Sequence, residues 1–351
     1  MGHTITRREF FGAPLAAFSL AGADQGRASG SLTDVPGVKV GHYTEKRRAT
    51  GCTVVMVEQG AVAGVDVRGG APGTRETDLL NPLHTVEKVH AVVLAGGSAF
   101  GLAAADGVMR YLEEKGIGLS VGRVRVPIVP AAILFDLQIG DPTIRPTAES
   151  GYRAAKAATS SPVEQGNVGA GAGATIGKML GPESGMKAGL GCAAVKLPNG
   201  LIIGALAAVN AVGDVVDPLT GKLLAGARTP DGKHLADTMA ELRKGRSTSA
   251  PRAGEHTTLG VVAVNAEWTK TQASKVAQMA HAGFARAIRP VHMPADGDTI
   301  FALGTGGIKI SASEFSRIGA LAADVMAQAI VSAVLQATGI PGYPAHRDFQ
   351  R

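Results

Sequence analysis

Aromatic side chains are scarce, at 4% of the 351 residues with a single tryptophan. Surfaces that hold single-stranded nucleic acid stack bases on aromatic rings along basic grooves. Here Lys and Arg gather in the first residues, in Glu45-Lys46-Arg47-Arg48 and between Lys222 and Arg252, with no basic stripe interleaved with aromatics. Nucleic acid is therefore a poor fit as a partner, and solubility accounts for the net charge of +6. Cysteine is nearly absent. Cys52 and Cys192 lie far apart in apolar settings, which excludes a disulfide framework and reads as two buried, free thiols. The histidines, among them His84, His90, His281 and His292, are scattered, so no zinc spacing exists, and the calcium-loop pattern is missing too. The glycine-rich block from Gly169 to Lys178 fails the phosphate-loop test, because Ala172 and Met179 stand where glycine and a hydroxyl residue belong. Ser98, in Gly96-Gly97-Ser98-Ala99-Phe100-Gly101, misses the nucleophile elbow through Phe100 and reads as a helix N-cap. No feature asks for a cofactor or a metal.

What the chain has is apolar content, 45% hydrophobic residues with 48 glycines spread among them, enough for an extensive core. β-like runs recur at 53–57, 61–67, 91–95, 193–196, 201–209, 259–264 and 300–303, and helical patterns at 101–115, 269–286 and 313–337. Both kinds of element border one core, which predicts a layered α/β arrangement. Residues 217–253 are polar and turn-rich and read as a mobile linker. The first thirty residues read as an export signal: Thr6-Arg7-Arg8-Glu9-Phe10-Phe11 has the twin-arginine form, followed by a mildly apolar run to Ala23 too short to span a bilayer. Cleavage after Ala23 or Ala28 and a periplasmic location are the expectations.

The candidate chemistry sits in Gly254-Glu255-His256-Thr257-Thr258-Leu259-Gly260, where a hydroxyl residue opens an apolar strand directly after the polar stretch. Cutting the bond before Thr257 would make it a new N-terminus, a hydroxyl with an α-amine as its own base. Such an amine titrates at ~7.7–8.0, so part of it is neutral at pH 7. A Thr pair that merely starts a strand is the plain alternative. Asp296-Gly297-Asp298, ahead of a second apolar strand, offers either two neighbouring carboxylates able to tune an amine or share a proton, or an ordinary Asx loop.

Several blocks together resemble the L-aminopeptidase/D-esterase family of self-processing N-terminal-nucleophile hydrolases, which includes β-peptidyl aminopeptidases and nylon-oligomer endohydrolases. They run in family order from about Leu32 to about Leu335: Leu32–His42, Leu94–Leu102, Val126–Asp136, Gly169–Lys178, Ala208–Asp214, the Thr257 segment and the Asp-Gly-Asp loop. The resemblance implies an αββα sandwich, sheet on sheet with helices outside. It implies one hydrolase domain over 31–351, cut by the protein itself into 31–256 and 257–351. By the same resemblance Thr257 is the nucleophile, Asp296 and Asp298 the supporting acids, Asn210 an oxyanion donor and Lys178 a site lysine of the nylon-hydrolase branch. Two positions depart from the pattern: His256 precedes the scissile bond where many relatives have Asn, and Phe135 replaces a site tyrosine. The implied substrates are small peptides, amino-acid amides or oligoamides such as linear 6-aminohexanoate oligomers, and the implied assembly is a homo-oligomer, commonly a tetramer. Two other readings stay open: an acyltransferase of the ornithine acetyltransferase type, and an exported binding protein whose catalysis has decayed.

Overall fold

The computed structural model describes residues 29–246 and 256–349. The expected signal lies outside the described residues over 1–28, and so does the last part of the expected linker. Nine strands form one hydrogen-bonded sheet: β1 (Lys39–Thr44), β2 (Gly51–Val67), β3 (Thr74–Arg75), β4 (Lys88–Ala95), β5 (Ala131–Ile133), β6 (Leu190–Lys196), β7 (Ile202–Asn210), β8 (Thr257–Glu267) and β9 (Thr299–Lys309). Their order is β6-β7-β8-β9-β2-β4-β5-β3, with β1 on β2. The pairs β8–β9 and β4–β5 are parallel and the other pairs antiparallel.

This sheet doubles over. The first part of β2 pairs with β1 and β4, and its last part with β9. The register slips between Met56 and Ala61, where Gly60 adopts φ +75°, a conformation glycine reaches without Cβ strain. The two runs expected at 53–57 and 61–67 are thus one bent strand. Strict alternation then sorts the side chains into three apolar layers. Val55, Val92, Leu94, Leu206, Leu259, Val261 and Phe301 meet between the two halves of the sheet. Cys52, Val54, Met56, Val93 and Ala95 face outward onto α1 (Ala104–Glu114) and α2 (Ala148–Lys156). Ile203, Ala205, Val262, Val264 and Ala302 face the other way onto α3 (Lys270–Ala287) and α4 (Ala312–Gln336). The layers are helix, sheet, sheet, helix.

Glycine sets how closely those layers approach. A Cβ on Gly64 would stand 2.2 Å from the Ser274 backbone in α3, and one on Gly191 2.0 Å from the Ala329 carbonyl of α4. α4 is long and apolar enough to cross a membrane by composition, yet here its apolar window lies mostly buried against β6 and β7. Thr269 and Ser311 cap α3 and α4, accepting from Gln272 N–H and Glu314 N–H, with those residues bonding back to the cap. Cys52 and Cys192 are both buried and free.

Two expectations need correction. Ser98 is not an N-cap: Gly97 takes that position, and Ser98 itself is left-handed at φ 55°, its N–H donating to Leu134 O. The expected linker is structured over 217–246. Leu223–Ala225 pairs with Asp214–Val216, which pairs in turn with Ile288–Arg289, and Asp237 caps a short helix at Thr238–Arg243. Buried Leu224, Ala225, Ala227 and Thr238 anchor this segment, four points that overall polarity hides.

Candidate active site

β8 runs antiparallel to β7 and parallel to β9, so the start of β8, the end of β7 and the loop entering β9 share one edge of the sandwich. Thr257 opens β8 opposite Asn210, the last residue of β7. The loop before Thr299 brings in Asp296, Gly297 and Asp298, and Lys178 arrives two residues after the short strand Thr175–Ile176. Phe135 follows β5. All the residues expected from sequence except Phe135, which is half-buried, are buried.

The peptide bond before Thr257 is the focus of the geometry. The Thr257 hydroxyl donates to the carbonyl oxygen of His256 at 2.5 Å. The same oxygen accepts from the Gly297 N–H at 2.9 Å. Gly297 is shaped by this contact, since a Cβ there would lie 2.6 Å from Thr257 Oγ. One residue on, Thr258 N–H donates to Asp298 Oδ1 at 2.7 Å.

The two carboxylates differ. Asp298 is tied on both oxygens, its Oδ2 accepting from the His292 backbone N–H at 3.2 Å and pairing with His292 Nδ1 at 2.8 Å. Asp296 accepts only Met293 N–H, on Oδ2 at 2.8 Å, and its Oδ1 has no protein partner. Burial, then the Asp298 charge, pushes Asp296 up to about 7, against the pull of the Met293 hydrogen bond. Burial, helped by the Lys178 charge, pushes the His256 imidazole down to about 2, so it is neutral at ordinary pH. Buried polar atoms without a partner gather here, at His256 Nδ1, Thr258 Oγ1 and Asp296 Oδ1. Such atoms are uncommon in folded cores.

Asn210 is held in one orientation. Its Oδ1 accepts from Lys178 Nζ at 2.9 Å and from Thr175 N–H at 3.0 Å. Neither group can accept in return, so the amide cannot flip. Nδ2 therefore donates to the Phe135 carbonyl at 3.0 Å. Phe135 contributes here through its backbone, whose place is fixed by Asp136. That buried carboxylate accepts from Gly97 N–H at 2.9 Å and Thr50 Oγ1 at 2.6 Å and pairs with the buried Arg48 guanidinium.

Sequence reasoning missed His292, whose left-handed φ of 56° is a strained conformation of the kind concentrated at functional sites. It also missed Gly297 and the clamp at 68–71: Arg68 N–H donates to Asp298 O at 2.9 Å and Ala71 N–H to Asp296 O at 2.8 Å. The clue at hand was Arg68-Gly69-Gly70-Ala71 itself, since a Cβ on Gly69 would lie 2.2 Å from Asp296 O. Among the described residues no cluster of three or more His, Cys, Asp or Glu side chains is arranged to hold a metal.

The αββα sandwich is the fold of N-terminal-nucleophile hydrolases, and a buried hydroxyl residue opens its inner strand beside the preceding carbonyl. The chain belongs to peptidase family S58, whose family model matches residues 30–347. It is 43% identical over 345 residues to an uncharacterized aminopeptidase of Mycobacterium tuberculosis, covering 91% of this chain and 97% of that one. It is 30% identical over 339 residues to the 6-aminohexanoate-oligomer endohydrolase of Kocuria sp., covering 92% and 91%. The L-aminopeptidase D-Ala-esterase/amidase of Ochrobactrum anthropi shares the fold at TM-score 0.66 and 20% identity, over 90% of this chain and 89% of that one.

Proposed function

We propose that the protein cuts its own His256–Thr257 bond and then uses Thr257 as an N-terminal nucleophile on small peptides, amino-acid amides or oligoamides. The observation that carries this is the Thr257 hydroxyl resting on the carbonyl of the bond to be cut. In the first reaction Oγ attacks the His256 carbonyl carbon, a C–O bond forms and the C–N bond breaks. The hydroxyl proton ends on the Thr257 nitrogen. Before the cut that nitrogen is an amide and no base, so we assign the proton relay to Asp296, whose backbone pairs with His256 and whose Oδ1 has no protein partner. Water then hydrolyses the ester, leaving a carboxylate on His256 and a free amine on Thr257.

In later turnovers the amine serves as base and then as acid. Asp298 holds the strand start through Thr258 N–H, and the second amide hydrogen of Asn210 meets the substrate oxyanion. Lys178 fixes that amide. The substrate range rests on relatives named for aminopeptidase and 6-aminohexanoate-oligomer activity. The twin-arginine leader supports a periplasmic location, and the family resemblance supports an oligomer of cleaved protomers.

The test is turnover of amino-acid anilides, β-peptides and linear 6-aminohexanoate oligomers by wild type and Thr257→Ala. Release of free acid from at least one class, with a loss of at least ~10³-fold in the variant, is expected. Acyl transfer to an added amine without acid release would make the protein an acyltransferase. An intact chain that turns over none of them would return the binding-protein reading.

A further inference from the structure

Two reactions at one nucleophile need not share an oxyanion donor, and here the donors point to different places. The carbonyl that becomes an oxyanion during self-cleavage belongs to His256, and it accepts from Gly297 N–H at 2.9 Å. The Asn210 amide, by contrast, donates to Phe135 O, its orientation locked by Lys178 and Thr175. Building on the self-cleaving reading, we propose that the Gly297 backbone N–H is the oxyanion donor of the self-cleavage step, while Asn210 serves external substrates.

The surroundings of Gly297 are built for this. Its own carbonyl accepts from Thr299 Oγ1 at 2.9 Å, and the carbonyls of Asp296 and Asp298 on either side accept from Ala71 N–H and Arg68 N–H. The N–H is thereby aimed before any charge develops, which is the condition for an effective donor. Glycine is not required here by a left-handed backbone, for Gly297 is not among the positive-φ glycines. It is required by the space, because a Cβ would meet Thr257 Oγ at 2.6 Å. The step balances without a co-reactant: negative charge grows on the His256 oxygen as Oγ bonds to carbon, and it collapses when the C–N bond breaks.

The experiment follows formation of the Thr257–Arg351 fragment from the full chain in cell-free translation. Position 297 carries either glycine or glycolic acid, whose backbone ester lacks the N–H, and both are introduced by the same suppressor tRNA. Removing one oxyanion donor costs about 10²–10³-fold in rate, and that slowing is expected of the ester chain. Protease resistance matching the glycine control shows that the ester chain has folded.

Asn210→Asp is the second arm, chosen because it keeps the acceptor used by Lys178 and Thr175 and removes the amide donor. It should form the fragment within about threefold of wild type and lose amide turnover by about 10²–10³-fold. Equal cleavage by the folded ester and glycine chains overturns the proposal, and so does a comparable loss of cleavage in Asn210→Asp. Should the ester chain fail to fold, Asn210→Asp still overturns the proposal through a comparable loss of cleavage, and cleavage within about threefold supports a donor other than Asn210. If the glycine control itself never yields the fragment, the self-cleaving reading has failed instead.

Discussion

Gly297 carries no side chain where one would press on the Thr257 hydroxyl. Gly297→Ala keeps the backbone N–H and places a Cβ 2.6 Å from Thr257 Oγ, so the hydroxyl must move off the scissile carbonyl. Self-cleavage should slow by about 10²-fold, the scale of a 1 Å misplacement at a reacting atom, as read from fragment formation over time. Unchanged cleavage would show that the hydroxyl has room to shift. Asp296 yields a pH prediction. Its carboxyl titrates near 7 in the folded chain and at ~3.9 when unfolded. Between those values the folded state keeps a proton that the unfolded state releases, so stability is complete below the lower value and is lost as pH rises through the upper one. Thermal unfolding of the uncut Thr257→Ala chain should show this decline, and adding Asp296→Asn should flatten it. Identical slopes in the two chains would remove Asp296 as the cause. Thr257, Asp296 and Asp298 stood out in the sequence as a hydroxyl at a strand mouth and a pair of carboxylates, but a strand start and an Asx loop explain the same residues, and only the family resemblance pointed to their roles. His292 was not, since its bond to Asp298 depends on a left-handed backbone and on a loop path that no pattern encodes.

At the scale of elements, the site depends on contacts that hold backbone and not on its own side chains alone. Asp136 fixes the Phe135 carbonyl on which Asn210 rests, and it answers Arg48, whose side chain is fully buried. Asp136→Ala leaves that guanidinium without its carboxylate and should cost about 3–5 kcal/mol, measured by denaturant unfolding of the uncut chain. A loss below 1 kcal/mol would mean that the Ile139 and Ile144 carbonyls, which also accept from Arg48, suffice. Gly191→Ala tests the helix–sheet contact: its Cβ meets α4 backbone at 2.0 Å, so overpacking should cost at least ~1–3 kcal/mol. Long strands and helices were readable because their apolar periods are sustained. The short β1, β3 and β5 and the helix α2 were not expected, since two to nine residues give too little pattern. Their places come from pairing and packing with distant parts of the chain.

For the whole molecule, the layered architecture was legible as a class from alternating strands and amphipathic helices, and the four-layer form only from the family resemblance. Nothing in composition shows that one sheet doubles over along β2 to make two layers, because that bend is set by Gly60 and by pairing with β9 far along the chain. The doubling matters for function: it puts the buried start of β8 beside the loops entering β9 and leaving β2, where the carbonyl before Thr257 is met by donors held in place. The central claim is that this arrangement cuts its own chain at Thr257. Intact mass and N-terminal sequencing of the purified protein, beside Thr257→Ala, test it most directly. The account predicts two pieces from the wild type, one ending at His256 and one beginning with Thr257, and a single chain from the variant. A variant that is still cut there, or a wild type that hydrolyses amides as one uncut chain, would contradict it.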